Sequence, residues 1–175
     1  MKKIIILFVL IFGLQTNAQI GNLYIYNNST FAVRYQLSAY PNGVCYPSFT
    51  PANAPLLQGF TIPAGGTHLF AGFYMPTTPN FPTAPAGGWK WAKRTSATST
   101  ITTATQPVTN NMAGLAASPI QARWKYFKFD TNGGPYFGGI GFTSGCTTLP
   151  TTYTSGTFVA QMYVSGADTI VMITN

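Results

Sequence analysis

Three side chains in the 175-residue chain could take part in carboxylate or imidazole acid/base chemistry: Asp130, Asp168 and His68. Glycoside hydrolysis ordinarily needs two carboxylates flanking one bond. Here Asp130 opens Asp130-Thr131-Asn132-Gly133 and Asp168 closes Ser165-Gly166-Ala167-Asp168. In such segments a carboxylate usually bonds nearby backbone amides, so both acids read as turn residues. His68 is the single histidine, one ligand where zinc needs three or four. A serine or cysteine nucleophile would need His68 oriented by a distant acid, and no Gly-x-Ser-x-Gly elbow is present. Gly138-Gly139-Ile140-Gly141 lacks the helix and acidic residue of a dinucleotide site and is predicted to form sharp bends. The residues therefore predict a protein that is not an enzyme, with no metal and no cofactor.

Cysteine offers different chemistry. Cys45 and Cys146 are the only two in the chain and flank much of it. In an oxidising compartment an even count predicts one disulfide, with two separate buried thiols as the rival reading.

Binding chemistry concentrates in two segments. Trp89-Lys90-Trp91-Ala92-Lys93-Arg94 and Arg123-Trp124-Lys125-Tyr126-Phe127-Lys128 hold all three tryptophans and every Lys or Arg beyond Lys3 except Arg34. Strand alternation would put Trp89 and Trp91 on one face and Lys90 on the other, and would group Trp124 with Tyr126 and Lys128. Flat rings beside cations suit sugars, anionic glycans, lipid headgroups, or bases and phosphates. Tryptophans in the core, with cations solvated or guarding strand edges, is the competing reading. No specific nucleic-acid motif is present.

The chain that must position these groups starts with an export signal. Lys2-Lys3, an apolar stretch from Ile4 to Leu14 and the polar Gln15-Thr16-Asn17-Ala18-Gln19 match a cleavable signal peptide over residues 1–18. The stretch is too short to span a bilayer, which takes about 20 residues, so no transmembrane anchor is expected. Residues 19–175 are predicted to form a single domain, secreted, periplasmic or at the cell surface. Losing Lys2 and Lys3 lowers the formal charge from +7 to +5, so the mature chain stays basic. Charged residues make up 6% of the sequence and aromatics 15%, a balance that excludes disorder through excess charge.

Periodicity predicts β-structure throughout. Residues 23–40 read as two strands around Asn27-Asn28-Ser29-Thr30, the second alternating Phe31, Val33, Tyr35 and Leu37 with polar or small residues. Short strands are predicted at 60–62 and 67–70 around Pro63-Ala64-Gly65-Gly66, and longer ones at 89–94 and 123–130. A hairpin over 158–174 turns at Ser165-Gly166-Ala167-Asp168. Residues 47–59 and 75–88 are Pro/Gly-rich and predict long loops, 95–109 an exposed strand or loop, and 111–118 a short helix. Together these predict an all-β, antiparallel β-sandwich with long Pro/Gly-rich loops and one disulfide.

Asn17-Ala18-Gln19 resembles signal-peptide ends of Bacteroidota. Tyr24-Ile25-Tyr26-Asn27-Asn28-Ser29-Thr30, Ile62-Pro63-Ala64-Gly65-Gly66-Thr67 and the apolar last strand resemble small secreted β-sandwich proteins, including actinoporin-like and aegerolysin-like membrane-binding proteins. The resemblance implies architecture more than activity. The chain lacks the amphipathic N-terminal helix of actinoporins, which argues against pore formation. Three functions stay open at this level: a surface-binding protein, adhesive or glycan-binding, acting through Trp89, Lys90, Trp91, Lys93, Arg94, Arg123, Trp124, Lys125, Tyr126 and Lys128; a membrane-binding toxin; or an assembly subunit with protein partners at the cell surface.

Overall fold

A computed structural model describes residues 21–41, 45–46, 48–51, 60–70, 89–94, 96–100, 102–106, 122–143 and 148–175. The signal peptide, Cys146, the 75–88 loop and the 111–118 helix expected from sequence lie outside the described residues. The strands are β1 (Leu23–Asn27), β2 (Val33–Pro41), β3 (Ser48–Pro51), β4 (Phe60–Ile62), β5 (Thr67–Phe70), β6 (Trp89–Arg94), β7 (Thr102–Gln106), β8 (Ala122–Thr131), β9 (Phe137–Gly141), β10 (Thr152–Ser155), β11 (Phe158–Ser165) and β12 (Asp168–Thr174). They form two sheets. The first has five strands in the order β10-β11-β12-β1-β5; the second has seven, β7-β6-β3-β2-β8-β9 with β4 pairing β2. The fold is all-β.

The two sheets share one core in a sandwich-like arrangement. Alternate residues of β1 (Leu23, Ile25), β11 (Phe158, Ala160, Met162) and β12 (Val171, Ile173) are buried with Val33, Tyr35 and Leu37 of β2 and Phe127 and Phe129 of β8. Rings bridge the gap: Phe70 of the first sheet lies 5.6 Å from Trp124 of the second, and Phe158 lies 5.7 Å from Phe129. These faces are buried because each strand alternates, one side apolar and one side polar.

Glycine positions explain the turns. Gly166 (φ 62°) is the first central residue of the two-residue β11–β12 loop, where a primed turn demands positive φ. Gly65 (φ 68°) serves Pro63-Ala64-Gly65-Gly66, closed by a 3.0 Å bond from the Gly66 amide to the Pro63 carbonyl. That connection does not join neighbours, however: β4 belongs to the second sheet and β5 to the first.

Several sequence expectations need correcting. The pairing is mixed rather than purely antiparallel, because β1 runs parallel to β12. Parallel neighbours need a long connection, and the chain between them supplies one by building the second sheet. Residues 48–51 form β3 inside a segment expected to be loop, and β10 was not foreseen. Gly138, Gly139 and Gly141 lie in extended strand β9, and none has positive φ, so they make no bends.

Inside the core, the Tyr35 hydroxyl and Nδ1 of His68 are 2.6 Å apart, both residues being buried. Burial pushes the Tyr35 phenol well above its ordinary value of 10.0. The folded state then keeps a proton that the unfolded chain releases, so this contribution is full below about pH 10 and is lost as pH rises further. Lys125 acts oppositely: burial, then Arg123, lower it from 10.5, so stability from this group grows as pH rises toward that value. Tyr35→Phe should cost about 1–2 kcal/mol at neutral pH through the lost hydrogen bond, and should flatten the alkaline decline relative to wild type. Urea unfolding at about pH 8 and at about pH 11 checks both; parallel curves for the two proteins would refute the assignment.

Candidate functional site

The outward side of the second sheet carries three cross-strand rows over β2, β8 and β9. Arg34, Asp130 and Phe137 form the first, Gln36, Lys128 and Gly139 the second, and Ser38, Tyr126 and Gly141 the third. Between them lies a groove of about 410 Å³, lined by Arg34, Gln36, Tyr126, Lys128, Asp130, Phe137, Gly139 and Leu149 among others.

The lining chemistry is mixed. Phe137 is 75% exposed, an apolar ring held in solvent at the groove's edge. Arg34 Nε donates to Asp130 Oδ2 at 2.9 Å, with the side chains 47% and 37% exposed. An ion pair that open contributes little stability, about 0–1 kcal/mol, so its main effect is to hold two polar groups in fixed positions. Lys128 is exposed beside them. Burial and Tyr40 raise the Tyr126 phenol above its ordinary value of 10.0, and its ring lines one wall of the groove.

The expected binding residues separate into different environments. The β2–β8 register passes over Lys125, because Ser38 pairs Tyr126 while Ala39 pairs Trp124. This bulge shifts the alternation by one residue. Trp124 therefore turns into the core with Phe127 and Phe129 at 1% exposure, instead of sharing the outward face of Tyr126 and Lys128. The stacking role expected for Trp124 is corrected accordingly, and Lys125 is only 7% exposed. Arg123 is half-buried. Of the 123–128 segment, Tyr126 and Lys128 reach the groove.

The segment Trp89–Arg94 is β6, in the same sheet but separated from β8 by β3 and β2. Three strand spacings put the two segments about 14 Å apart. Arg94 is half-buried, and for Trp89, Lys90, Trp91 and Lys93 the backbone register is what is described.

Arg34, set apart in the sequence as the isolated cation, lines the groove, as do Gln36, Phe137 and Gly139. The outward positions of β2 were legible from its alternation; their meeting with β9 was not. Asp130 is a strand residue paired with Arg34 rather than a turn cap. Asp168 Oδ1 accepts the Asn22 amide at 2.8 Å, which ties the β11–β12 hairpin to the chain before β1. The two acids thus belong to different sheets, each with a structural partner. His68 lies in β5, as a strand residue beside the glycine turn. Among the described residues no group of three His, Cys, Asp or Glu could hold a metal, and no helix is long and apolar enough to cross a membrane.

Fold and groove define a class: an all-β protein of two sheets, bearing a small basic aromatic groove on the outer face of the larger one. Comparison with protein-family models, curated proteins and solved structures gave no match.

Proposed function

We propose that this is an exported, non-catalytic protein that binds glycan-bearing anionic surfaces outside the cytoplasm, through the outer face of the second sheet. The supporting observation is the meeting of Arg34, Lys128, Tyr126 and Phe137 around one groove. Charge draws the polyanion in, and ring contacts act at short range. The signal peptide over residues 1–18 delivers the protein there.

The test is retention on an immobilised polyuronate gel, with a neutral glucan gel as control. Retention should weaken as salt rises from about 0.1 M to about 1 M, as the screening length falls from about 10 Å to about 3 Å. Reversing Arg34 and Lys128, the two cations that line the groove, to Glu should weaken binding at low salt at least tenfold and flatten the salt dependence. Reversing Lys90, Lys93 and Arg94 should cost less, since β6 lies three strands away. A folded Arg34/Lys128 double variant retained like wild type refutes the reading.

Export also supports a Cys45–Cys146 disulfide. β2 and β9 flank β8 and run in the same direction, with Pro41 paired to Ala122 and Gly141 to Tyr126, so the chain leaves both strands at one end of the sheet. Cys45 follows β2 by four residues and Cys146 follows β9 by five, across two strand spacings of about 10 Å. No free cysteine occurs among the described residues. Closing a loop of about 100 residues would stabilise the fold by roughly 4–5 kcal/mol on the chain-entropy model. Thiol labelling of the denatured, unreduced mature protein should modify neither cysteine; labelling of both would remove the bridge.

A further inference from the structure

We infer that the groove is a subsite for a single acidic sugar residue, and that the missing side chain at Gly139 is what makes room for it. This rests on the glycan-binding reading above and specifies its ligand.

The glycines of β9 differ in what they do. A Cβ at Gly138 would press on the Tyr153 ring at 2.8 Å, and one at Gly141 would overlap the Lys125 carbonyl oxygen, so packing explains both. A Cβ at Gly139 meets Leu149 at 3.5 Å, Tyr126 at 3.7 Å and the Phe127 carbonyl oxygen at 3.8 Å, all ordinary contact distances, and Gly139 has no positive φ. Neither packing nor backbone conformation calls for glycine there. The position completes the row Gln36, Lys128, Gly139 on the groove floor, where any larger side chain would take the space between Tyr126 and Leu149.

The lining specifies the ligand's chemistry. A groove of about 410 Å³ is at the lower end of small-molecule sites, which run from about 300 to about 1,000 Å³. The rings of Phe137 and Tyr126 offer apolar faces to the C–H side of a pyranose. The Arg34–Asp130 pair presents donors and acceptors side by side, the pattern that adjacent sugar hydroxyls match. Arg34 and Lys128 against Asp130 leave one net positive charge. One carboxylate on the ligand balances it, whereas a doubly charged phosphate would leave one negative charge unbalanced beside the Asp130 carboxylate. The shared chemistry is therefore that of a uronic acid unit.

Calorimetric titration of the mature protein with glucuronic acid and with glucose, at about 50 mM salt, tests this. Glucuronic acid should bind at least tenfold more tightly than glucose. Gly139→Val should weaken glucuronic acid at least tenfold with an unchanged melting temperature, and Lys128→Gln should erase the preference for the acid over glucose. If Gly139→Val does not fold, Phe137→Ser, a change at an exposed ring, should weaken glucuronic acid at least threefold. Equal binding of the two sugars, or a folded Gly139→Val that binds like wild type, overturns the inference. Retention on polyuronate without monomer binding sinks this inference and leaves the surface-binding reading standing. Monomer binding blocked by Gly139→Val, without retention on polyuronate, does the reverse.

Discussion

Asn27→Leu should lower the unfolding free energy by about 3–5 kcal/mol, a large share of the roughly 5–15 kcal/mol of an ordinary domain. Asn27 is fully buried at the corner where the chain leaves β1 in one sheet for β2 in the other. Its Nδ2 donates to the carbonyls of Phe31 (2.7 Å), Pro63 (2.9 Å) and Ile62 (3.3 Å), and its Oδ1 accepts from the Ser29 amide (3.3 Å) and hydroxyl (2.7 Å). Its own amide donates to the Gly66 carbonyl at 2.9 Å. One side chain thus joins two corners, each of which crosses between the sheets. Leucine matches its size but removes all five side-chain bonds. The Pro63 carbonyl keeps the Gly66 amide and the Phe31 carbonyl the Ser29 hydroxyl, while the Ile62 carbonyl loses this donor and the Ser29 amide its acceptor, at about 1–3 kcal/mol for each buried group left unpaired. Asn28, exposed next door, supplies the control: Asn28→Ala should stay within about 0.5 kcal/mol of wild type. Urea denaturation of the three proteins decides the matter, and an Asn27→Leu variant with an unmoved midpoint would show that the corner is held by other means.

The second large effect is expected at Gly141. Gly141→Ala should destabilise by about 2–3 kcal/mol, because its Cβ would overlap the Lys125 carbonyl, a backbone atom that cannot rotate away. That carbonyl accepts the Phe142 amide at 2.9 Å, and the Gly141 amide donates to the Pro150 carbonyl at 3.0 Å, so relief of the overlap disturbs both bonds. The same substitution two residues earlier, Gly139→Ala, should be close to neutral. Melting temperatures of the pair test whether β9 glycines serve different ends; equal losses at both positions would show that they do not.

Much of the fold was legible along the chain. The alternation of Val33, Tyr35 and Leu37 with Arg34 and Gln36 is a local property of one strand, and the burial pattern follows it. Gly166 in a two-residue loop is likewise local, since only the φ of that residue is at issue. Trp124 was misplaced because alternation assumes unbroken pairing, and the bulge at Lys125 is a property of two strands together. Asn27 read as one more turn residue, since its partners Ile62 and Pro63 are more than thirty positions away. The groove was hidden for the same reason: Arg34, Lys128 and Gly139 come from three strands and meet only through β2–β8 and β8–β9 register.

The sequence by itself determined the β class, the core faces of the regular strands, the glycine turns and the concentration of cations among aromatics, all of which depend on neighbouring residues. Tertiary structure decided which of those cations and rings share a surface. It set β1 parallel to β12, sent Trp124 inward at a bulge, and brought the seemingly isolated Arg34 against Asp130. Each outcome depends on strand register, and register is set by the packing of a buried face that distant segments build together.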